Sequence, residues 1–168
     1  LEILNKITPN GYMIDVTPGS KYVTVGGMIA NNIIGKNLYK NQFKFIIKEI
    51  EILTSSNKII KCSSTKNKKI FNLTIGGFGL TGVILKAKIN LRKINNLFID
   101  QEIEKFERIN KFLKKIKKKS MFSVSWIDSH SMEQNKFRGF IQTGNYNKNK
   151  NNKNLISFKD KKLNFFSN

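Results

Sequence analysis

The sequence predicts an α+β chain, with helices interleaved among short strands. Three observations carry this. Val83, Leu85, Ala87, Ile89 and Leu91 alternate with Ile84, Lys86, Lys88, Asn90 and Arg92, the period of a half-buried strand with the first set inward. Ile103, Phe106, Leu113 and Ile116 recur at helical spacing behind Asp100, so residues 100–118 read as an amphipathic helix. Short apolar runs elsewhere are cut by Gly, Pro, Asn and Ser turns, which neither a closed barrel nor a helical bundle would show.

From the start, Leu1, Leu4 and Ile7 share a helix face, which Pro9, Asn10 and Gly11 end. Tyr12–Val16 reads as a strand and Thr17–Ser20 as a turn. Residues 24–37, TVGGMIANNIIGKN, read as a short apolar helix flanked by glycines. Phe45–Leu53 and Lys58–Cys62 form a hairpin across Thr54-Ser55-Ser56-Asn57. Phe122, Val124 and Trp126 alternate with serines as a strand, with 139–143 a candidate partner. Residues 145–154 are almost only Asn and Lys and read as a solvated loop.

The 168 residues make one domain's worth of chain, with 39% hydrophobic and 25% charged residues, which excludes collagen-like, disulfide-framework and wholly disordered classes. No apolar run is long enough to span a bilayer as a helix. The net charge is +20, but arginine stands only at Arg92, Arg108 and Arg138. Lysine, asparagine and isoleucine are enriched together, the residues A/T-rich codons encode. Aromatics do not interleave with the lysine runs at 114–119, so nucleic acid is disfavoured as a partner, while membrane association is left open. Cys62 is the single cysteine, which fits a reducing, cytoplasmic setting. The chain opens on Leu1 in mid-helix, which suggests processing or an excerpt.

His130 is the one histidine, and no CxxC pair or HExxH exists, so a His-based metal site or a Ser-His-Asp triad has little to build on. Ser129-His130-Ser131 reads as a polar loop. Glycines are the stronger signal. Gly19, Gly26, Gly27 and Gly35 form one cluster and Gly76, Gly77, Gly79 and Gly82 another. Glycine permits close approach of a ligand to main chain, and backbone N–H groups at such turns can hold phosphate oxygens. Two clusters favour a dinucleotide or large anionic cofactor. No Walker A pattern is present. The second cluster precedes a strand, the reverse of the Rossmann order.

The stretch PGSKYVTVGGMIANNIIGKN, from Pro18 to Asn37, resembles a central cofactor motif of the FAD-linked oxidases of the vanillyl-alcohol-oxidase, or PCMH-type, superfamily. Within it the likeness is to the branch of sugar-lactone and decaprenylphosphoryl-ribose oxidases. IFNLTIGGFGLTGVILKAKINL, from Ile70 to Leu91, is similar to a second motif of that branch, and FSVSWIDSHS, from Phe122 to Ser131, to a weaker third. The three stand in family order across residues 1–146.

The resemblance implies FAD as cofactor, contacted largely through main chain at Gly19, Thr24, Val25, Gly26, Gly27, Gly35, Lys36 and Asn37, with Ile84 contributing from the second motif. It implies that residues 1–94 are the C-terminal part of the FAD-binding domain, and 95–168 the beginning of an antiparallel-sheet substrate domain. The implied activity is oxidation of an alcohol carbon of a sugar, sugar lactone or polyprenyl-linked sugar, with no metal and no catalytic side chain within these residues. An upstream phosphate loop and downstream catalytic groups would lie outside them. Two departures stand out: Ile34 replaces the family histidine, and 38–44 keeps only Phe43 of the usual glycine-rich loop. The alternatives are an FAD-linked oxidase of a 2-hydroxy acid or aromatic alcohol, a decayed non-catalytic fragment, or a basic nucleic-acid-binding module.

Overall fold

The computed structural model describes residues 1–37, 40–116, 120–130 and 137–147. Helix α1 (Glu2–Ile7) runs into a 3₁₀ turn (Thr8–Asn10), which Gly11 ends in the left-handed conformation at φ 77°. Strand β1 (Tyr12–Met13) is shorter than the expected 12–16. Helix α2 (Val25–Ala30) takes Gly26 and Gly27 into its first turn rather than being flanked by them. Thr24 caps it, its hydroxyl accepting the Gly27 N–H at 3.1 Å.

Strands β2 (Ile47–Leu53) and β3 (Ile59–Ser63) form the expected hairpin, closed by the Thr54 N–H donating to the Lys58 carbonyl, with Asn57 at φ 59°. Helix α3 (Lys68–Thr74) then leads through the glycine turn to β4 (Val83–Ile89). The first sheet is antiparallel, ordered β3-β2-β4. Its core holds Ile50, Ile52 and Cys62 from the sheet, Met28 and Ile29 from α2, Phe71 from α3, Val16 from the loop after β1, and Phe43 from a 3₁₀ turn (Phe43–Phe45) before β2. Burying such side chains contributes about 1.5–3 kcal/mol each for the larger aliphatics.

The β4 faces depart from strict alternation. Ala87 and Ile89 pack on the core and Lys86 and Lys88 are exposed, as expected, but Val83, Leu85 and Leu91 are exposed and Ile84 points inward. The cause is a bulge. Ile84 and Lys86 stand opposite the consecutive residues Ile52 and Glu51, so Leu85 is extra and the inward phase slips by one. A second irregularity at Lys48 does the same on β2, which keeps Ile47, Ile50 and Ile52 buried together.

Residues 99–106 correct the expected helix over 100–118. They form strand β6 (Ile99–Phe106), and among the described residues of that span only Ile109–Ile116 is helical, as α4; residues 117–118 lie outside the described residues. Asp100, Glu102 and Glu104 alternate with Ile99, Gln101 and Ile103, so the segment carries a strand period as well. Eight residue pairs with β8 (Gly139–Tyr146) decide between the two. Ile103, now on a strand, is exposed rather than packed, and Leu113 within α4 is exposed as well. Strand β7 (Phe122–Ile127) pairs with β8 as expected, giving an antiparallel sheet ordered β6-β8-β7. Helix α4 covers one face of it, where Phe106, Phe112 and Phe137 stack with ring centroids 4.9–5.6 Å apart, and where Lys115 pairs with Glu104. Strand β5 (Arg92–Lys93) pairs with β1 between the two sheets. Of the Asn/Lys segment, 145–147 end β8 and its loop; 148–154 lie outside the described residues.

Candidate functional site

A cleft of about 330 Å³ lies where the loop motif meets the second sheet. One wall is the first motif and the segment that leads into it from β1: Asp15, Thr17, Pro18, Gly19, Lys36 and Asn37. The other wall is one face of β6-β8-β7: Ile99, Gln101, Phe122, Val124, Gln142, Gly144 and Tyr146. The walls are stitched together. The Ser123 N–H donates to the Lys36 carbonyl at 2.8 Å, and Asn37 bridges Phe122 in antiparallel register.

Asn37 is buried, and its side-chain amide donates to Asp15 Oδ1 at 3.5 Å. Asp15 is gripped in turn by Arg92 of β5, Nε to Oδ1 at 2.5 Å and the terminal nitrogen to Oδ2 at 2.8 Å, a bidentate pair across 77 residues. That hydrogen bond holds the Arg92 guanidinium above its ordinary pKa. Beside it, burial pushes the Tyr146 phenol up; Arg92 opposes that shift and Asp15 adds to it. The Tyr146 ring meets Phe122 edge-on at 5.6 Å.

Of the nine residues expected to contact a cofactor, Gly19, Lys36 and Asn37 line this cleft. Gly35 stands beside it for a packing reason: a Cβ there would lie 2.8 Å from Asn37 Oδ1 and 3.1 Å from Val16 Cγ1. Thr24, Val25, Gly26 and Gly27 build the first turn of α2, away from the lining, and Ile84 packs on the core. Ile34, where the family histidine stands, is exposed and bridges Gln42.

The glycines sort by what a side chain would meet. At Gly19 and Gly26 a Cβ would find no atom within 4 Å, so nothing in the chain's own packing requires glycine there. The second cluster is different. Gly76, Gly79 and Gly82 have φ of 76°, 82° and 137°, and a Cβ on Gly77 would lie 2.0 Å from the Leu73 carbonyl oxygen. The fold itself uses these four. At Gly19, which lines the cleft with Lys36 and Asn37, the open space where a Cβ would stand fits a cofactor held through backbone.

No family profile matches the chain. Curated relatives do. Decaprenylphosphoryl-beta-D-ribose oxidase of Mycolicibacterium smegmatis is 34% identical over 92 residues, 54% of this chain and 20% of the relative. Cytokinin dehydrogenase 3 of Oryza sativa subsp. japonica is 34% identical over 74 residues, 43% of this chain and 14% of the relative. Cytokinin dehydrogenase 5 of Arabidopsis thaliana is 27% identical over 92 residues, 54% and 17% respectively. The chain is homologous to the FAD-linked oxidase family that its motifs resemble. The matched stretch spans about a fifth or less of each of these oxidases and dehydrogenases.

Sequence reasoning missed Asp15, Arg92, Gln101, Gln142 and Tyr146. A lone acid inside the apolar run 12–16 was the one local hint; its partner 77 residues away left none. Among the described residues, no group of His, Cys, Asp and Glu could hold a metal ion. Ser129 and His130 are exposed at the end of β7; Ser131 lies outside the described residues.

Proposed function

We propose that this chain forms the second part of an FAD-binding unit and the opening strands of a substrate domain. The enzyme would be an FAD-dependent oxidoreductase acting on an alcohol carbon of a sugar, sugar lactone or polyprenyl-linked sugar. The cleft carries the reading, because it sets residues of the glycine motif against one face of a sheet from the following segment. Residues 1–94 supply the cofactor side and 95–168 the substrate side. Gly19, Lys36 and Asn37 would hold the cofactor at the cleft, and Thr24, Val25, Gly26, Gly27 and Gly35 along the same motif, with Ile84 from β4. When bound, the flavin supplies the hydride-accepting chemistry. The chain's own groups do the rest: Arg92 fixes Asp15, Asp15 and Gly35 set the Asn37 amide, and β6-β8-β7 shields one side from water. The cytokinin dehydrogenases among the relatives favour one variant of this reading, the same cofactor chemistry on another substrate class.

The test is flavin occupancy, by visible absorbance after gel filtration of the protein expressed from its complete reading frame. At Gly19 and Gly26 an added Cβ meets no atom within 4 Å, so thermal unfolding should move little in Gly19→Val and Gly26→Val. Flavin occupancy should fall at least about tenfold in Gly19→Val, because the branched side chain enters the cleft. Full occupancy in that variant would remove Gly19 from the cofactor site, and a colourless unmutated protein would overturn the function.

A further inference from the structure

Two side chains in the cleft have no role in holding it together. Gln101 on β6 and Gln142 on β8 both line it. Gln101 stands opposite Gly144 and Gln142 opposite Ile103, so the two glutamines are diagonal neighbours on one sheet face, about 7–8 Å apart at the backbone. Gly144 lies at Gln101's cross-strand position, and a Cβ on it would come 2.7 Å from Ile99 Cγ2, so the floor between the amides stays bare. Neither amide has a hydrogen-bond partner among the described residues. Of the charges at the cleft, the Arg92 guanidinium is spent on Asp15, and Lys36 is an exposed residue.

We propose that Gln101 and Gln142 are the specificity-determining pair of this cleft and that they read the hydroxyl groups of an uncharged polyol. The proposal rests on the function proposed above and narrows its substrate class. A primary amide offers two donors and an acceptor, which matches a hydroxyl that both gives and takes a hydrogen bond. A carboxylate only accepts. It can take the amide N–H groups but gives the two amide oxygens no donor, and its desolvation needs a cation held in place. The geometry selects a neutral sugar head over a 2-hydroxy acid.

The experiment uses the protein expressed from its complete reading frame, with D-ribose and L-lactate as probes. The side-chain amide resonances of Gln101 and Gln142, assigned by loss in Gln101→Leu and Gln142→Leu, are followed by NMR during titration. D-ribose should shift both, and each leucine variant should weaken its binding about tenfold, the loss of one or two hydrogen bonds, with flavin occupancy unchanged. L-lactate should shift neither. Unmoved amides under D-ribose, or unchanged affinity in both variants, overturns the proposal, as does L-lactate binding more tightly and losing that affinity in Lys36→Gln. Flavin occupancy of the same samples reads the proposed function separately, because the titration reports on the amides with or without bound flavin.

Discussion

Gly82 separates a glycine the fold requires from one a ligand requires. It opens β4 at φ 137°, and an alanine Cβ would sit 2.2 Å from the Leu53 carbonyl oxygen and 3.0 Å from Ile52 Cγ2. Real Cβ contacts do not fall below 3.0 Å, so most of an ångström must be found. The obstacle is backbone of β2, whose Leu53 and Ile52 pair with Val83 and Ile84, so it cannot swing aside as a side chain would. Adding the strained φ to the displaced pairing, Gly82→Ala should cost about 3–5 kcal/mol of a total on the order of 10 kcal/mol. Gly79→Ala is the control. Its φ of 82° is also left-handed, but a Cβ there meets nothing within 4 Å, so the cost is about 1–2 kcal/mol. In urea unfolding followed by circular dichroism, Gly82→Ala should lower the midpoint by about 2 M and Gly79→Ala by under about 1 M. Equal midpoints would refute the clash. A Gly82→Ala protein with an unmoved midpoint and no flavin would return the second glycine cluster to the cofactor.

Alkaline pH should destabilise the fold. Burial pushes the Cys62 thiol up, and it pushes the Tyr146 phenol up, so both hold protons more tightly folded than unfolded. Their contribution is complete below the range where the unfolded groups ionise, and it is lost as pH rises through the folded values. The thermal midpoint should fall through that range and fall less in Cys62→Ala; a midpoint that is flat or rises would contradict the burial of both groups. Duplex DNA in a filter-binding assay should be retained weakly at physiological salt, with retention collapsing as salt rises. Sequence-specific retention that persists in high salt would make nucleic acid a partner after all.

Much of the fold is written locally. The β2-β3 hairpin could be read because its turn residues and strand residues lie within one short stretch. Pairing of β7 with β8 was legible from alternation. Residues 99–106 were not, because they satisfy two periods at once. Asp100 followed by Glu102 and Glu104 looks like a capped helix start, and the same residues alternate as a strand. The strand wins through eight pairs with residues 139–146, some forty positions away, which no local window contains. The faces of β4 failed for a related reason. A bulge is a property of two strands and leaves no mark in the period of one.

The site divides along the same line. The Pro18–Asn37 motif stands out in the sequence because main-chain contact with a cofactor would need glycines at fixed local spacing. The second glycine run, Gly76–Gly82, looked like equal support and is not, since every one of its glycines answers to the chain's own turn geometry. A ligand would account for Gly19 and Gly26, where glycine has no internal reason, and for what faces Gly19. That facing wall belongs to strands whose positions depend on non-local pairing. Asp15, Arg92 and the two glutamines become a site only once β1-β5 and β6-β8 have formed. A cofactor motif can be conspicuous in a sequence while the groups that would choose its substrate are not: backbone recognition is encoded by neighbours in the chain, and side-chain recognition by neighbours in space.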